Sequence, residues 1–170
     1  MDTNNTVYVK DKFLTSQECH TLIDFFNKYY EQYGILFDDR KIIHIPKITV
    51  DLSNDDPRND ADLLKHITSK LEHNIKNIDT SAYVNYSHIT MREIDNYQEY
   101  HYDFNYHTYT SVLYLNDDFE GGETEVEDKV IEPLQGSLIT FAGNVLQHRV
   151  LPVKQGKRYT ILVWYKSLVI

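Results

Sequence analysis

The sequence has one cysteine, Cys19, in 170 residues, so no disulfide can form within the chain. Cys19 falls on the apolar face of a predicted helix, where a buried structural thiol is expected rather than a nucleophile. Long apolar runs are missing too. None approaches the roughly 20 residues that a membrane helix needs, and the polar stretch Met1 to Lys10 lacks the apolar core of a signal peptide. A soluble protein of a reducing cytoplasm, with no membrane partner, is the expectation. Basic charge is scarce as well, with 17 Lys and Arg against 26 Asp and Glu and a formal net charge of −9. Nucleic-acid affinity comes largely from basic side chains neutralising phosphates, so no nucleic-acid partner is expected. No repeat, low-complexity tract or linker divides the chain. One domain over residues 1–170 is expected, long enough to bury a core unaided.

Tyrosine is what the chain has in excess, 14 against 7 Phe and 1 Trp. Its ring packs while its hydroxyl finds a partner, which suits half-buried strands and pocket walls.

Val7 to Val9 reads as a short strand. Thr15-Ser16-Gln17-Glu18 is a capping box. Behind it Cys19, Leu22, Ile23, Phe26, Tyr29 and Tyr30 recur at helical spacing, predicting a helix that ends near Gly34. Residues 35–50 look extended, and 51–62 read as an exposed loop. A second helix carries Leu63, Leu64, Ile67, Leu71, Ile75 and Ile78. From Tyr83 onward the pattern changes to eight short strands, near 84–94, 98–104, 109–115, 123–126, 129–132, 137–141, 147–151 and 157–166, punctuated by Gly and Pro. The expected fold is mainly β (α+β): helical support over about 1–80, then a jelly-roll core over about 81–168.

His101 and Asp103 stand two residues apart, a spacing that puts both side chains on one face of a strand. With His148 they make a set of two imidazoles and a carboxylate. Such a set holds a metal without closing its coordination sphere, as non-haem Fe(II) sites do. Alone the spacing is weak, since the chain has 8 His, and hydrogen-bonded surface histidines are the plain alternative. His107 competes for the third place, though a turn at Asn105-Tyr106 breaks its parity. His20, His66 and His73 read as helix-surface residues, and His44 and His88 as structural. Arg158 heads an apolar strand and needs an anionic partner, because an unpaired buried charge is costly. A structural ion pair would serve as well as a ligand.

Taken in order, these residues resemble the prolyl 4-hydroxylase branch of the Fe(II)/2-oxoglutarate-dependent dioxygenases. The likeness runs through Phe13 to Cys19, His101-x-Asp103, Tyr114-Leu115-Asn116-Asp117 and Gly121-Gly122-Glu123-Thr124. It continues through Pro133-x-x-Gly136 to Phe141, His148 to Val153, Gly156-Lys157-Arg158-Tyr159 and Trp164. The resemblance implies a double-stranded β-helix, cupin-like, with His101, Asp103 and His148 as iron ligands. Arg158 would pair with the distal carboxylate of 2-oxoglutarate, helped by the hydroxyls of Tyr114 and Thr160. It implies O2 as oxidant, ascorbate as a reductant, and hydroxylation of a prolyl residue in a peptide or protein with release of succinate and CO2. Other substrates for the same chemistry, a lysyl or other side chain or a free amino acid, stay open. So does a jelly roll that binds without turnover. Where many members have Tyr-x-x-Gly-x-x-Tyr-x-x-His, this chain has Arg92, Asp95 and Gln98. The departure touches the substrate entrance, for which Arg92, Tyr97, Tyr100, Tyr102 and Trp164 are candidates. Segment 35–60 is a candidate mobile lid over a peptide.

Overall fold

Local signals set the helices. Thr15 caps α1 (Ser16–Tyr33): its hydroxyl accepts from the Glu18 N–H at 3.1 Å, and the Glu18 carboxylate accepts from the Thr15 N–H at 2.8 Å. The Gly34 N–H closes the far end on the Tyr30 carbonyl. In this computed structural model, residues 5–46, 56–59 and 62–168 are described. The second helix, α2 (Asp62–Ile75), buries Leu64, Ile67, Leu71 and Ile75.

Thirteen strands are described: β1 (Tyr8–Lys10), β2 (Ile35–Phe37), β3 (Arg40–His44), β4 (Ala82–Arg92), β5 (Gln98–His101), β6 (Tyr109–Tyr114), β7 (Glu120–Gly121), β8 (Thr124–Val126), β9 (Lys129–Ile131), β10 (Leu138–Phe141), β11 (His148–Val150), β12 (Val153–Gln155) and β13 (Arg158–Ser167). A seven-stranded sheet runs β1-β10-β6-β13-β4-β3-β2, a four-stranded sheet runs β5-β11-β8-β9, and β12 pairs with β7. This is the expected jelly roll with helical support.

The central strands β6, β10 and β13 are buried along most of their length because both faces are covered. Leu113, Ile161 and Val163 face α1 and α2, in a cluster with Cys19, Leu22, Phe26, Ile67 and Leu71. Their neighbours Val112, Tyr114 and Leu162 point the other way and pack with Ile139, Phe141 and, from the four-stranded sheet, Val126. Alternation along one strand thus divides a scaffold face from an interior face. A register shift between Trp164 and Tyr165 changes the parity of β4, so Val84 joins the helix-side core while Tyr86 lines the interior.

All eight predicted strands are present, as β4, β5, β6, β8, β9, β10, β11 and β13. Three expectations change. Strand β5 stops at His101, so Asp103 lies beyond it. The chain bends after His101 toward the turn at Asn105-Tyr106, and the Asp103 N–H bonds the Gly143 carbonyl at 2.9 Å in place of a ladder partner. The candidate lid begins as a β2–β3 hairpin, with β3 hydrogen-bonded to β4; its stretch 47–55 lies outside the described residues. Strands β7 and β12 were not expected. Among the described residues, no helix is long and apolar enough to cross a membrane.

Candidate active site

The cross-strand register brings the two histidines together. His148 opens β11 directly opposite His101 at the end of β5, and their ring centroids lie 4.3 Å apart. Asp103 reaches both: its Oδ1 lies 3.8 Å from His101 Nε2 and its Oδ2 lies 3.6 Å from His148 Nε2. One ligand atom from each residue falls within 4.8 Å of the others. Each ring is oriented from behind. His101 Nδ1 bonds the Glu99 carbonyl at 2.8 Å, and His148 Nδ1 bonds the Leu146 carbonyl at 2.9 Å. A carbonyl only accepts, so Nδ1 must carry the proton and Nε2 keeps its lone pair, the tautomer a metal needs.

Asp103 is held as firmly. Burial pushes its carboxyl up, but the adjoining His148 ring and hydrogen bonds from Thr110 and Trp164 outweigh burial and keep it below the usual range. Thr110 donates to its Oδ2. Burial also lowers His101, favouring the neutral ring. His107, the competing ligand, lies apart from this group, its Nε2 3.1 Å from Asn85 Nδ2.

The three residues open onto a cavity of about 520 Å³. Arg158 lies on its wall, fully buried. Its Nε donates to the Gly122 carbonyl at 2.8 Å, Nη2 to Thr124 Oγ1 at 3.1 Å and Nη1 to Thr160 Oγ1 at 3.3 Å. The Tyr114 ring lies 5.5 Å from the guanidinium carbon. Burial lowers its pKa. No carboxylate among the described residues pairs with it, so the structural ion pair weighed from sequence is absent there. Two neutral imidazoles and a carboxylate fit Fe(II), and a fixed, unpaired guanidinium fits the carboxylate of 2-oxoglutarate.

The supporting residues divide. Arg92, Tyr102 and Trp164 line the cavity; Tyr97, Tyr100, Tyr114 and Thr160 do not. The Tyr114 hydroxyl donates to Thr124 Oγ1 at 2.7 Å, so Tyr114 and Thr160 surround Arg158. Tyr100 turns outward, where its hydroxyl meets Glu125 at 2.5 Å and Arg149 stacks on its ring. Tyr97 is half exposed and offers its carbonyl to Arg92 at 3.2 Å.

The family model described as the 2OG-Fe(II) oxygenase superfamily matches residues 84–166. The matched segment holds His101, Asp103, His148 and Arg158. Prolyl 3-hydroxylase 2 of Homo sapiens is 39% identical over 36% of this chain, and prolyl 3-hydroxylase 1 of Gallus gallus is 27% identical over 64% of it. The chain spans only 10% and 20% of those relatives' lengths. Among solved structures, a viral collagen prolyl hydroxylase from Paramecium Bursaria Chlorella virus-1 superposes with a TM-score of 0.70 at 18% identity, over 99% of this chain and all of that one. A prolyl hydroxylase from Trichoplax adhaerens, bound to a hypoxia-inducible-factor peptide, gives 0.75 at 19% identity, over 98% and 85%. Those two likenesses speak for the oxygenase fold.

Several wall residues escaped the sequence reading. Arg40 and Ile42 of β3, with Ile35 and Phe37 of β2, form one side of the cavity. His88, read as structural, also lines it, with neither ring nitrogen hydrogen-bonded. Only the pairing of β3 with β4 brings Arg40 to the site, and no local pattern announces it.

Proposed function

We propose that the protein is an Fe(II)- and 2-oxoglutarate-dependent dioxygenase that hydroxylates a prolyl residue of a peptide or protein, releasing succinate and CO2. One observation carries the reading. The lone-pair nitrogens of His101 and His148 and the carboxylate of Asp103 converge on a cavity that also holds an unpaired, buried Arg158. Similarity to prolyl 3-hydroxylases supports the prolyl substrate.

His101, Asp103 and His148 would hold the iron, whose redox chemistry couples decarboxylation of 2-oxoglutarate by O2 to insertion of oxygen into a C–H bond. The Glu99 and Leu146 carbonyls keep both imidazoles in the ligating tautomer. Arg158 fixes the distal carboxylate of 2-oxoglutarate and so turns a loose encounter into a defined pose. Gly122, Thr124 and Thr160 hold that guanidinium, and Val112, Phe141 and Leu162 shed water from the reacting end.

The test is succinate release from the iron-loaded protein given O2, 2-oxoglutarate and ascorbate, with and without proline-containing peptides whose masses are then read. Peptide-stimulated succinate with one added oxygen on proline is the expected result. His148→Ala should abolish it. Succinate that no peptide stimulates, yet that His148→Ala removes, would keep the oxygenase and discard the prolyl substrate.

A further inference from the structure

The chain carries a net charge of −9, yet four arginines line its main cavity; Arg149 is paired with Glu125, which leaves Arg40, Arg92 and Arg158. All three are buried, and none has a carboxylate within ion-pair distance among the described residues. Arg158 and Arg92 are direct cross-strand partners on β13 and β4, and like charges so placed repel. Each guanidinium taken from water without a counter-charge costs several kcal/mol. A protein that keeps three in one cavity is built for an anion.

The co-substrate accounts for one of them. Of the two carboxylates of 2-oxoglutarate, one belongs beside the metal and one on Arg158. Arg92 is partly committed elsewhere: it donates to Asn96 Oδ1, to the Tyr97 carbonyl at 3.2 Å and to Gln98 Oε1 at 3.5 Å, and so braces the turn into β5. Arg40 has no such employment. Among the described residues its side chain makes no hydrogen bond, its Nε is buried without a partner, and its guanidinium carbon lies 5.4 Å from the centre of the Phe37 ring. Asp38, exposed in the adjoining turn, lies close enough to raise its pKa but forms no ion pair with it; burial prevails and lowers it. Arg40 also feels the charges of both Asp103 and Arg158, and all three line the same cavity. It rises from the hairpin whose half-exposed Ile35 and Phe37 form the same wall. That wall is mostly apolar, with the buried Arg40 and the exposed Asp38 of the turn as its charges.

We propose that Arg40 binds a carboxylate of the substrate, so that this enzyme acts on a residue or amino acid with an anionic group beside the carbon to be hydroxylated. The inference rests on the oxygenase reading and names its substrate class. Planar guanidinium suits carboxylate in two-point contact, and His88, neutral in its buried setting, lies on the same wall to accept or donate one further bond. The carboxylate has two chemical sources. It is either the side chain of an acidic residue next to proline in a peptide, or the α-carboxylate of a free amino acid.

The test uses Trp164, the chain's single tryptophan, which lines the cavity. Its fluorescence is followed in protein loaded with Mn(II) under nitrogen, first on titration with 2-oxoglutarate. Two matched pairs follow: an end-blocked peptide with Pro-Glu against the same peptide with Pro-Gln, and L-proline against L-prolinamide. The acid of at least one pair is expected to bind about tenfold tighter than its amide or more, the worth of one charge-assisted hydrogen bond. The pair that discriminates names the source. In Arg40→Gln the preference should shrink to less than about threefold, and Arg40→Lys should restore part of it. A wild-type protein that prefers neither acid over its amide overturns the proposal without recourse to any variant. So does an Arg40→Gln protein whose loss falls on 2-oxoglutarate instead of the acid, for Arg40 would then serve the co-substrate. Failure of 2-oxoglutarate itself to bind the wild type is read in the first titration and counts against the oxygenase reading.

Discussion

Gly143 shows how narrowly the candidate metal site is built. Its carbonyl accepts from the Asp103 N–H at 2.9 Å, and a Cβ placed on it would collide with Thr110 Oγ1 and Asp103 Oδ2. These are the two atoms whose hydrogen bond orients the carboxylate. Gly143→Ala should therefore displace Asp103 while leaving the cores intact. Mn(II) affinity measured by calorimetry is expected to fall by about tenfold or more, the usual cost of disturbing a ligand's supporting contacts. Thermal melting should change far less. Undiminished Mn(II) binding in that variant would mean that Asp103 is not held as described. Arg158 follows the same logic from the other end of the cavity. Its three hydrogen bonds to Gly122, Thr124 and Thr160 place the guanidinium before any ligand arrives.

At the scale of elements, α1 depends on the reciprocal bonds of Thr15 and Glu18 at its first turn. Removing the hydroxyl in Thr15→Ala should destabilise the protein by about 1 kcal/mol, seen as a lower urea midpoint with an unchanged slope. An unmoved midpoint would show that Phe13, Leu14 and the packing of Cys19, Leu22 and Phe26 hold the helix start without the cap. The cap and the helix were legible in the sequence because both are local, the cap written in Thr15 to Glu18 and the helix in the stripe from Cys19 to Tyr30. The eight strands after Tyr83 were legible for a similar reason, each a short local run, with Gly or Pro marking the breaks from Gly121 onward. Strand β12 was not: Val153 to Gln155 offers three residues between Pro152 and the Gly156 turn, too few to show alternation, and it exists because β7 is there to pair with it. Asp103 was identified through the wrong geometry. Strand parity with His101 predicted a shared face, whereas a bend held by Gly143 delivers the same convergence. Arg40 was invisible, since its place depends on β3 finding β4 some 45 residues downstream.

Over the whole molecule, buried imidazoles tie stability to pH. Burial holds His88 well below its ordinary value, with Arg40, His44 and Arg92 acting in the same sense. Burial likewise lowers His44 and His107. In the unfolded chain each would titrate near about 6.5. Below that value the unfolded state binds protons that the folded state refuses. The stabilisation is therefore complete above about 6.5 and is lost as pH falls through the window beneath it. Carboxylates held low, such as Asp56 by its bonds with Arg58, add a separate loss only when pH enters their unfolded range near about 4. Melting temperature should be level from pH 8 to 7 and then decline between about 6.5 and 5, ahead of the carboxylate range. His88→Asn should flatten part of that decline. A level melting temperature down to pH 5 would show that these rings can be protonated within the fold.

The pairing of His148 with His101 has a consequence for how the chain reaches its native state. A slip of one residue between β5 and β11 would turn one imidazole to the opposite side of the sheet, and no chelating set would remain. Only one alignment of these strands gains the binding energy of a metal ion, so an ion present during folding acts as a proofreader, trapping chains that have matched the two strands correctly. Misaligned chains receive no such reward and stay free to separate and search again. Metal supply would then govern the yield of correctly folded protein as well as the activity of each molecule.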